Sequence, residues 1–374
     1  MGIIVAAVRE TAPHERRVAL TPEIAKKLKA LGVEVQLETG AGESAAFPDN
    51  QYKDAVAVAD VLASADVLLS VQAPGDAALA RLKPGTVLIG MLAPHASVER
   101  VKMLRDRKIT SFSLELLPRT TRAQAMDVLS SQAGMAGYKA VLIAAQVSPK
   151  FFPMLTTAAG TIRPSKVLII GAGVAGLQAI ATARRLGAQV EGFDVRPEVK
   201  EQIESLGAKF LDLGVSAAGA GGYARALTAE EQAEQQKRLG EHVKNIDVIV
   251  TTAAIPGRRA PRIITAAMVA GMKPGAVIVD LAAETGGNCE LTRPGETVVQ
   301  NGVSVVGPVN LPSQGAIHAS EMYARNAFNF LSLLIKDGAL NLDWNDELIA
   351  QSCLTFDGTI KHEASRKAAE GEAS

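Results

Sequence analysis

Short apolar runs alternate with amphipathic stretches along most of this chain. Runs rich in valine, isoleucine and leucine predict buried strands. These runs are residues 3–8, 33–37, 67–71, 87–91 and 111–116 in the first third, and residues 167–170, 189–193, 209–213, 248–252, 276–281 and 303–306 in the remainder. Helical periodicity lies between them, as in residues 23–31 and 98–107. Strands that alternate with helices are typical of α/β domains built on parallel sheets.

Two longer helical stretches stand apart from this alternation, at residues 122–146 and 319–336. A proline-containing loop, residues 148–163, follows the first of them. The polar segment from Lys361 to Ser374 is predicted to be frayed. A chain of 374 residues is long enough for two domains of ordinary size.

A glycine-rich turn after the strand at residues 167–170 is the most informative motif. Residues 171–176 read GAGVAG, a helix-forming stretch follows, and the next strand ends at Asp194. A G-x-G-x-x-G turn between a strand and a helix, with an acid after the second strand, predicts a dinucleotide site. The first two glycines of the motif, Gly171 and Gly173, permit the turn and the approach of a pyrophosphate, while Gly176 lets helix and strand pack closely. Val174 belongs to the same phosphate-binding turn, at the positive end of the helix.

The residues after the second strand bear on which dinucleotide is bound. The carboxylate of Asp194 can accept hydrogen bonds from both ribose hydroxyls and would repel the 2′-phosphate of NADP by a few kcal/mol at ~4 Å. Arg196 points the other way, since an arginine here can accept that phosphate. We expect NAD(H) as the cofactor.

Composition narrows the remaining function classes. Formal net charge is zero and no long block of like charge occurs, so the sequence does not indicate a nucleic-acid partner. The two cysteines, Cys289 and Cys353, have neither disulfide nor metal-site spacing, and we expect no metal. No signal peptide and no membrane-spanning run is evident, so a soluble cytoplasmic protein without direct membrane insertion is expected.

The segment between residues 213 and 248 is long for a compact sheet domain. Residues 214–222 are small and glycine-rich and precede Tyr223 and a polar run that ends at Lys244. Long glycine-rich loops are often lids, and we favour a lid tipped by Tyr223. The polar run at residues 230–244 fits equally well as part of the lid or as a solvated surface helix.

Several motifs resemble the alanine dehydrogenase and transhydrogenase superfamily. They are residues 15–22 (ERRVALTP), 38–42 (ETGAG), 254–257 (AIPG), 272–280 (MKPGAVIVD) and 286–288 (GGN). Residues 119–132 (RTTRAQAMDVLSSQ) and 221–224 (GGYA) are closely similar to the transhydrogenase branch. Over essentially its whole length the chain resembles the NAD(H)-binding components of proton-translocating NAD(P) transhydrogenases.

This resemblance implies an architecture and partners. It implies two Rossmann-like, doubly wound parallel-sheet domains separated by a cleft: residues 1–132 with 312–374, and an NAD(H)-binding domain at residues 133–311. It implies NAD(H) in the cleft, a homodimer, an NADP(H)-binding subunit that exchanges hydride with this one, and a membrane proton-channel subunit. The chain would then be cytoplasmic and peripherally associated with the inner or plasma membrane through its partners. We expect three separate polypeptides rather than a fusion.

The same resemblance implies roles for individual residues. Arg119, Gln124, Asp127 and Ser130 match the nicotinamide-side positions of the family, and we expect the first three to act in catalysis. Asp194 matches the acid that holds the adenosine ribose, and Tyr223 matches the tyrosine of a mobile loop. Asn310 is a further predicted cofactor contact, as is Arg196.

Departures from the alanine dehydrogenase pattern separate the two branches. That family holds and deprotonates its substrate with a lysine and a histidine, and these positions are Gln72 and Ala93 here, with His95 two residues beyond. Glu284 stands where that family has an aspartate, while Arg17 is retained. Without a cation and a proton carrier, amino-acid oxidation is disfavoured.

Hydride exchange between two nicotinamides needs no such groups, because no substrate proton has to be removed. The protein must position the rings and exclude water. Arg119 paired with Asp127 and the Gln124 amide could orient the carboxamide and ribose; on spacing alone, a surface ion pair and a polar cap explain them too. An alanine dehydrogenase-like enzyme and a non-enzymatic NAD(H)-sensing module remain the alternatives.

Overall fold

A computed structural model describes residues 2–214, 227–254 and 257–371 of the chain. Contacts divide the chain into two compact units, which are described separately. The first unit contains Met1–Gln132 and Ser313–Ser374, and the second contains Ala133–Pro312.

The strands are short and the helices of very different length. The strands are β1 (Ile4–Ala7), β2 (Glu34–Glu38), β3 (Val56–Val58), β4 (Val67–Gln72), β5 (Val87–Met91), β6 (Thr110–Ser113), β7 (Leu155–Thr157), β8 (Gly160–Ile162), β9 (Lys166–Ile170), β10 (Gln189–Phe193), β11 (Lys209–Phe210), β12 (Val248–Thr251), β13 (Val277–Asp280), β14 (Thr297–Gln300), β15 (Val303–Val306), β16 (Ile335–Lys336), β17 (Ala339–Leu340), β18 (Cys353–Phe356) and β19 (Thr359–Ile360). The α-helices are α1 (Pro22–Ala30), α2 (Asp76–Leu79), α3 (Val98–Asp106), α4 (Val128–Val147), α5 (Val174–Arg185), α6 (Lys200–Ser205), α7 (Ala229–Val243), α8 (Ala266–Ala270), α9 (Ala316–Leu334), α10 (Glu347–Ser352) and α11 (Glu363–Glu370).

The first unit is built on a sheet with the order β19-β18-β6-β5-β4-β1-β2-β3. Strands β1 to β6 run parallel in the order 3-2-1-4-5-6, which is that of the Rossmann fold. The hairpin β18–β19 joins β6 antiparallel. Alternate side chains of the sheet enter two apolar cores, one of which includes α1 and α9 and the other α3.

The second unit repeats this plan with the order β11-β10-β9-β12-β13-β15-β14. All strands except β14 are parallel, and β14 pairs antiparallel with β15 at the edge. Val167 and Ile169 of the central strand β9 face a core shared with α4, α5 and α6, while Leu168 and Ile170 face the core of α7 and α8. The predicted fold class, two α/β domains on parallel sheets, is confirmed.

The predicted helix at residues 122–146 begins later than expected, at Val128. Residues Gln124–Met126 form a single 3₁₀ turn instead. Asp127 explains the difference, because its carboxylate accepts a 2.9 Å hydrogen bond from the backbone N–H of Ser130 and so caps the new helix.

The prediction of a frayed tail from residue 361 is wrong for residues 363–370, which form α11. His362 accepts a hydrogen bond from Ser365 at the start of this helix, and Ala369 packs against the apolar core beside α3. The single burying face was too short to stand out from its polar surroundings.

The polar run after residue 228 forms α7, which Thr228 and Glu231 begin with a capping box. One face is buried through Gln235, Leu239 and Val243, so this helix is packed on the sheet rather than solvated all round. The lid predicted around Tyr223 falls in residues 215–226, outside the described residues. Within the described ranges, no helix combines the length and the apolar character that crossing a bilayer requires.

Candidate nucleotide-binding and nicotinamide-side residues

The glycine-rich turn joins β9 to α5 as the motif predicts. Gly171 has φ +93°, a left-handed conformation that favours glycine, and a Cβ on Gly176 would lie 1.8 Å from the carbonyl oxygen of Gly171. Gly173 differs from both, because a Cβ there would meet no atom within 4 Å. The turn is closed on its protein side and open where Gly173 and the half-exposed Val174 begin the helix.

This opening fits a dinucleotide. The first N–H groups of α5 have no partner within the helix and carry its positive dipole end, so they can bind a pyrophosphate. The empty space around Gly173 is what close approach of a phosphate requires.

Asp194 lies directly after β10, where its carboxylate holds two parts of the turn together. It accepts hydrogen bonds from the backbone N–H of Ala172 at 2.7 Å and from the Arg196 side chain at 2.9 and 2.7 Å. Burial raises the pKa of Asp194, but the Arg196 guanidinium and the backbone donors outweigh burial and leave the pKa below its usual value. The carboxylate is therefore ionised at neutral pH, and Arg196 is drawn toward it.

The four residues predicted on the nicotinamide side lie in the first unit. Arg119 and Gln124 are exposed, while Asp127 and Ser130 are half-buried. Asp127 accepts from the Ser130 hydroxyl at 2.5 Å, and the ion pairs of the described residues do not include one between Arg119 and Asp127. The four thus lie on the turn before α4 and on its first residues, with a polar edge formed by Asp127 and Ser130.

Gln132 supports this segment from beneath, a role that the sequence analysis missed. Its amide donates to the carbonyl of Ala319 in α9 and accepts from Arg17 at 2.8 Å. Arg17 is almost fully buried and also forms two hydrogen bonds with Glu15, at 2.8 and 2.6 Å. The start of α4 is therefore tied to the N-terminal segment and to α9.

Gln72 enters the same cluster from the end of β4. Its amide donates to Glu15 at 3.1 Å, so a neutral side chain contacts the buried Glu15–Arg17 ion pair. Glu10 lies alongside and accepts from the backbone N–H groups of Val71 and Gln72. Burial, opposed by these backbone hydrogen bonds, raises the pKa of Glu10 to about 7.

The remaining residues of the dehydrogenase comparison lie apart from this cluster. The backbone N–H of Ala93 donates to Glu115, and the exposed His95 has its ring centroid 5.8 Å from that of His362. In the second unit, Glu284 accepts from the backbone N–H of Asn310 at 3.1 Å. Among the described residues, no group of three or more histidine, cysteine, aspartate or glutamate side chains could hold a metal ion.

Family models account for almost the whole chain. The model described as alanine dehydrogenase/PNT, N-terminal domain, matches residues 6–136, and the model for the C-terminal domain matches residues 140–363. The chain belongs to the alanine dehydrogenase/PNT family. This membership assigns the chain to a family of nicotinamide-nucleotide-binding oxidoreductases, in agreement with the turn before α5.

Within the alanine dehydrogenase/PNT family, the similarity is greater to transhydrogenases. The chain is 46% identical to the first of the polypeptides that make up NAD(P) transhydrogenase subunit alpha in Rhodospirillum rubrum, over 96% of this chain and 98% of that one. The crystal structure of transhydrogenase from Sinorhizobium meliloti matches with a TM-score of 0.88 and 44% identity, over 96% of this chain and 99% of that one. The alanine dehydrogenase of Mycobacterium tuberculosis is 33% identical over 76% of this chain and 74% of its own length.

Proposed function

We infer that this chain is the NAD(H)-binding subunit of a proton-translocating NAD(P) transhydrogenase. In this reading it passes hydride between NAD(H) and NADP(H) held on a separate subunit, and a membrane subunit couples the transfer to proton movement. The reaction, NADH + NADP⁺ → NAD⁺ + NADPH, moves one hydride and releases no proton from a substrate.

One observation carries the proposal: the side chain at the end of β4 is the neutral Gln72, and it is hydrogen-bonded to Glu15. A dehydrogenase that oxidises an amino acid needs a cation here for the substrate and a proton carrier nearby. Gln72 can do neither, and Arg17 is engaged by Glu15 and Gln132. The cluster supports a protein scaffold better than an acid–base site.

The residues of this chain would then act by binding and orientation. Bound NAD(H) would supply or accept the hydride. The N–H groups at Gly173 and Val174 would hold the pyrophosphate, and Asp194 would accept from the adenosine ribose. Gln124, Arg119 and Asp127, with Ser130, would orient the nicotinamide and its ribose, and Asn310 and Tyr223 would complete the contacts.

NAD(H) is favoured over NADP(H) by the arrangement around Asp194. The Arg196 guanidinium that could accept a 2′-phosphate is instead hydrogen-bonded to the Asp194 carboxylate. A 2′-phosphate would have to break this pair and approach a buried negative charge. Titration with NADH and NADPH tests the preference, and equal affinity for both would contradict it.

A homodimer is supported by the hairpin β7–β8 of the second unit. All residues of both strands are exposed, and Phe151, Met154 and Ile162 in and before the hairpin are 55%, 65% and 45% exposed. Clustered apolar residues on a protruding hairpin are typical of protein interfaces. Association with a membrane would come through the partner subunits.

A mixing assay tests the function directly. The chain, NADH and an NADP⁺-loaded NADP(H)-binding transhydrogenase subunit should together form NAD⁺ and NADPH, whereas the chain alone with pyruvate and ammonia should leave NADH unchanged. Oxidation of NADH by pyruvate and ammonia would favour the alanine dehydrogenase alternative. Binding of NADH without either reaction would favour the NAD(H)-sensing module.

A further inference from the structure

An arginine pair with no assigned role lies in the second unit, after β12. Arg258 and Arg259 are both exposed, and neither forms an ion pair or hydrogen bond with another residue in the described part of the chain. Their neighbour Arg262 differs, because it lies 3.8 Å from Glu290. Two adjacent guanidinium groups therefore face solvent with uncompensated charge.

The backbone that carries the pair is anchored on both sides by one buried side chain. The amide nitrogen of Asn288 donates to the carbonyls of Ala253 and Pro261, at 2.8 and 2.9 Å. Its amide oxygen accepts from the N–H of Ala253. The N–H of Ala260 adds a hydrogen bond to the carbonyl of Thr285. The bases of both arginine side chains are thus held in place, which lowers the entropy lost when they bind a partner.

The side chain of Arg259 is also held along part of its length. It crosses the backbone of Gly286, where a Cβ would lie 2.7 Å from the Arg259 Nε. The glycine leaves room for the stem of the arginine to lie flat on the loop. A packed stem with a charged end in solvent is the arrangement of an arginine that is ready to contact another surface.

The position of the pair in the sheet indicates what approaches it. Strand β12 follows the central strand β9 on the side away from β10 and Asp194. In a sheet of this order the two halves each take one half of a dinucleotide, and Asp194 marks the adenosine half. The arginines therefore stand at the carboxyl end of the half that takes the nicotinamide, the end to which a second coenzyme has to be brought.

Resting on the proposed function, we propose that Arg258 and Arg259 form a docking surface for acidic side chains of the NADP(H)-binding subunit. The pyrophosphate of NAD(H) already has its donors at Gly173 and Val174, so the arginines are not needed for it. Exposed charges on a rigid loop act mainly by steering association and fixing its orientation. Arginine suits this role because its planar guanidinium binds carboxylates in a bidentate manner.

Charge reversal tests the docking surface. The double variant Arg258→Glu with Arg259→Glu is compared with Arg184→Glu with Arg185→Glu, two adjacent exposed arginines in the last turn of α5. Both variants change the charge of the same unit by the same amount. Affinity for the purified, NADP⁺-loaded NADP(H)-binding subunit is measured by calorimetry at several salt concentrations, and NADH affinity is measured by fluorescence titration.

We expect at least a tenfold loss of affinity for the subunit in the first variant, with a flatter dependence on salt and NADH affinity within twofold of the unmodified chain. The α5 variant should keep its affinity for the subunit. Unchanged affinity in the first variant would overturn the proposal, and so would an equal loss of NADH affinity, which would assign the arginines to the coenzyme. Failure of the unmodified chain to exchange hydride would instead overturn the proposed function.

Discussion

Gly173 and Gly176 lie three residues apart on one turn, but their surroundings differ. A methyl group on Gly173 would enter open space at φ −75°, whereas one on Gly176 would collide with the Gly171 carbonyl. We expect Gly173→Ala to leave thermal stability unchanged or raise it slightly and to weaken NADH binding at least tenfold, or ~1.4 kcal/mol. Gly176→Ala should lower stability by about 1–3 kcal/mol. Calorimetry and NADH titration measure both; undiminished NADH binding by Gly173→Ala would contradict the cradle.

Gln124 allows binding to be separated from orientation. Its exposed amide lies on the 3₁₀ turn before α4, where shortening it by one methylene should not disturb packing. If the amide orients the nicotinamide, Gln124→Asn should slow hydride transfer about tenfold or more and change NADH affinity little. Single-turnover kinetics with the NADP(H)-binding subunit measure the first quantity. Equal losses in both would mean that Gln124 only builds the pocket.

Glu10 gives the first unit a pH dependence of known sign. Its pKa rises from the ordinary 4.5 to about 7 in the folded chain, so it stabilises the unit fully below pH 4.5 and loses that contribution as the pH rises to about 7. The change is at most about 3 kcal/mol. Glu10→Gln should reduce the loss of stability between pH 5 and pH 7.5.

The measurement can be confined to this unit. Trp344 is the single tryptophan of the chain and stacks near Phe112 and Phe356, so its fluorescence in urea follows unfolding of the first unit. Glu115, whose pKa burial also raises, contributes to both proteins and cancels in the comparison. Identical pH slopes in the two proteins would rule out Glu10 as the cause.

Helix α11 shows how an element can depend on one titratable cap. His362 accepts a hydrogen bond from Ser365 only through an unprotonated ring nitrogen, and burial together with the neighbouring His95 lowers the pKa of His362 below 6.5. The cap therefore contributes above pH 6.5 and is lost as the pH falls through the lowered pKa.

Hydrogen exchange tests this dependence. Protection of the α11 amides, corrected for intrinsic exchange, should fall as the pH is lowered from 7 to 5 in the unmodified chain. In His362→Asn, where the cap does not titrate, protection should stay constant over the same range. Parallel loss of protection in both proteins would place the pH sensitivity elsewhere.

At the scale of the whole molecule, the parallel strands and the glycine-rich turn were predictable because each has a local pattern. The antiparallel additions β14 and β18–β19 were not, since strands of two to four residues carry no distinctive alternation. The support of α4 by Arg17 was also hidden, because Arg17 and Gln132 are 115 residues apart in sequence and only the tertiary fold joins them. The nicotinamide-side residues were recognised by resemblance alone.

Self-association can be tested on the hairpin β7–β8. We expect Phe151→Asp with Met154→Asp to shift the chain from dimer to monomer in analytical ultracentrifugation, because charges would replace two exposed apolar side chains. Val299→Asp is the matched control, since Val299 is 65% exposed on the edge strand β14. A dimer that persists in the double variant would place the interface on another surface.

The antiparallel pairing of β18 with β6 has a consequence for biosynthesis. Cys353 pairs with Phe112, so the sheet of the first unit stays incomplete on the ribosome until some 240 further residues have been made. All strands of the second unit emerge before that partner does, and this unit can fold while its flanking segments still wait. A chaperone that shields the β6 edge during translation would therefore act on the beginning of the chain rather than on its middle.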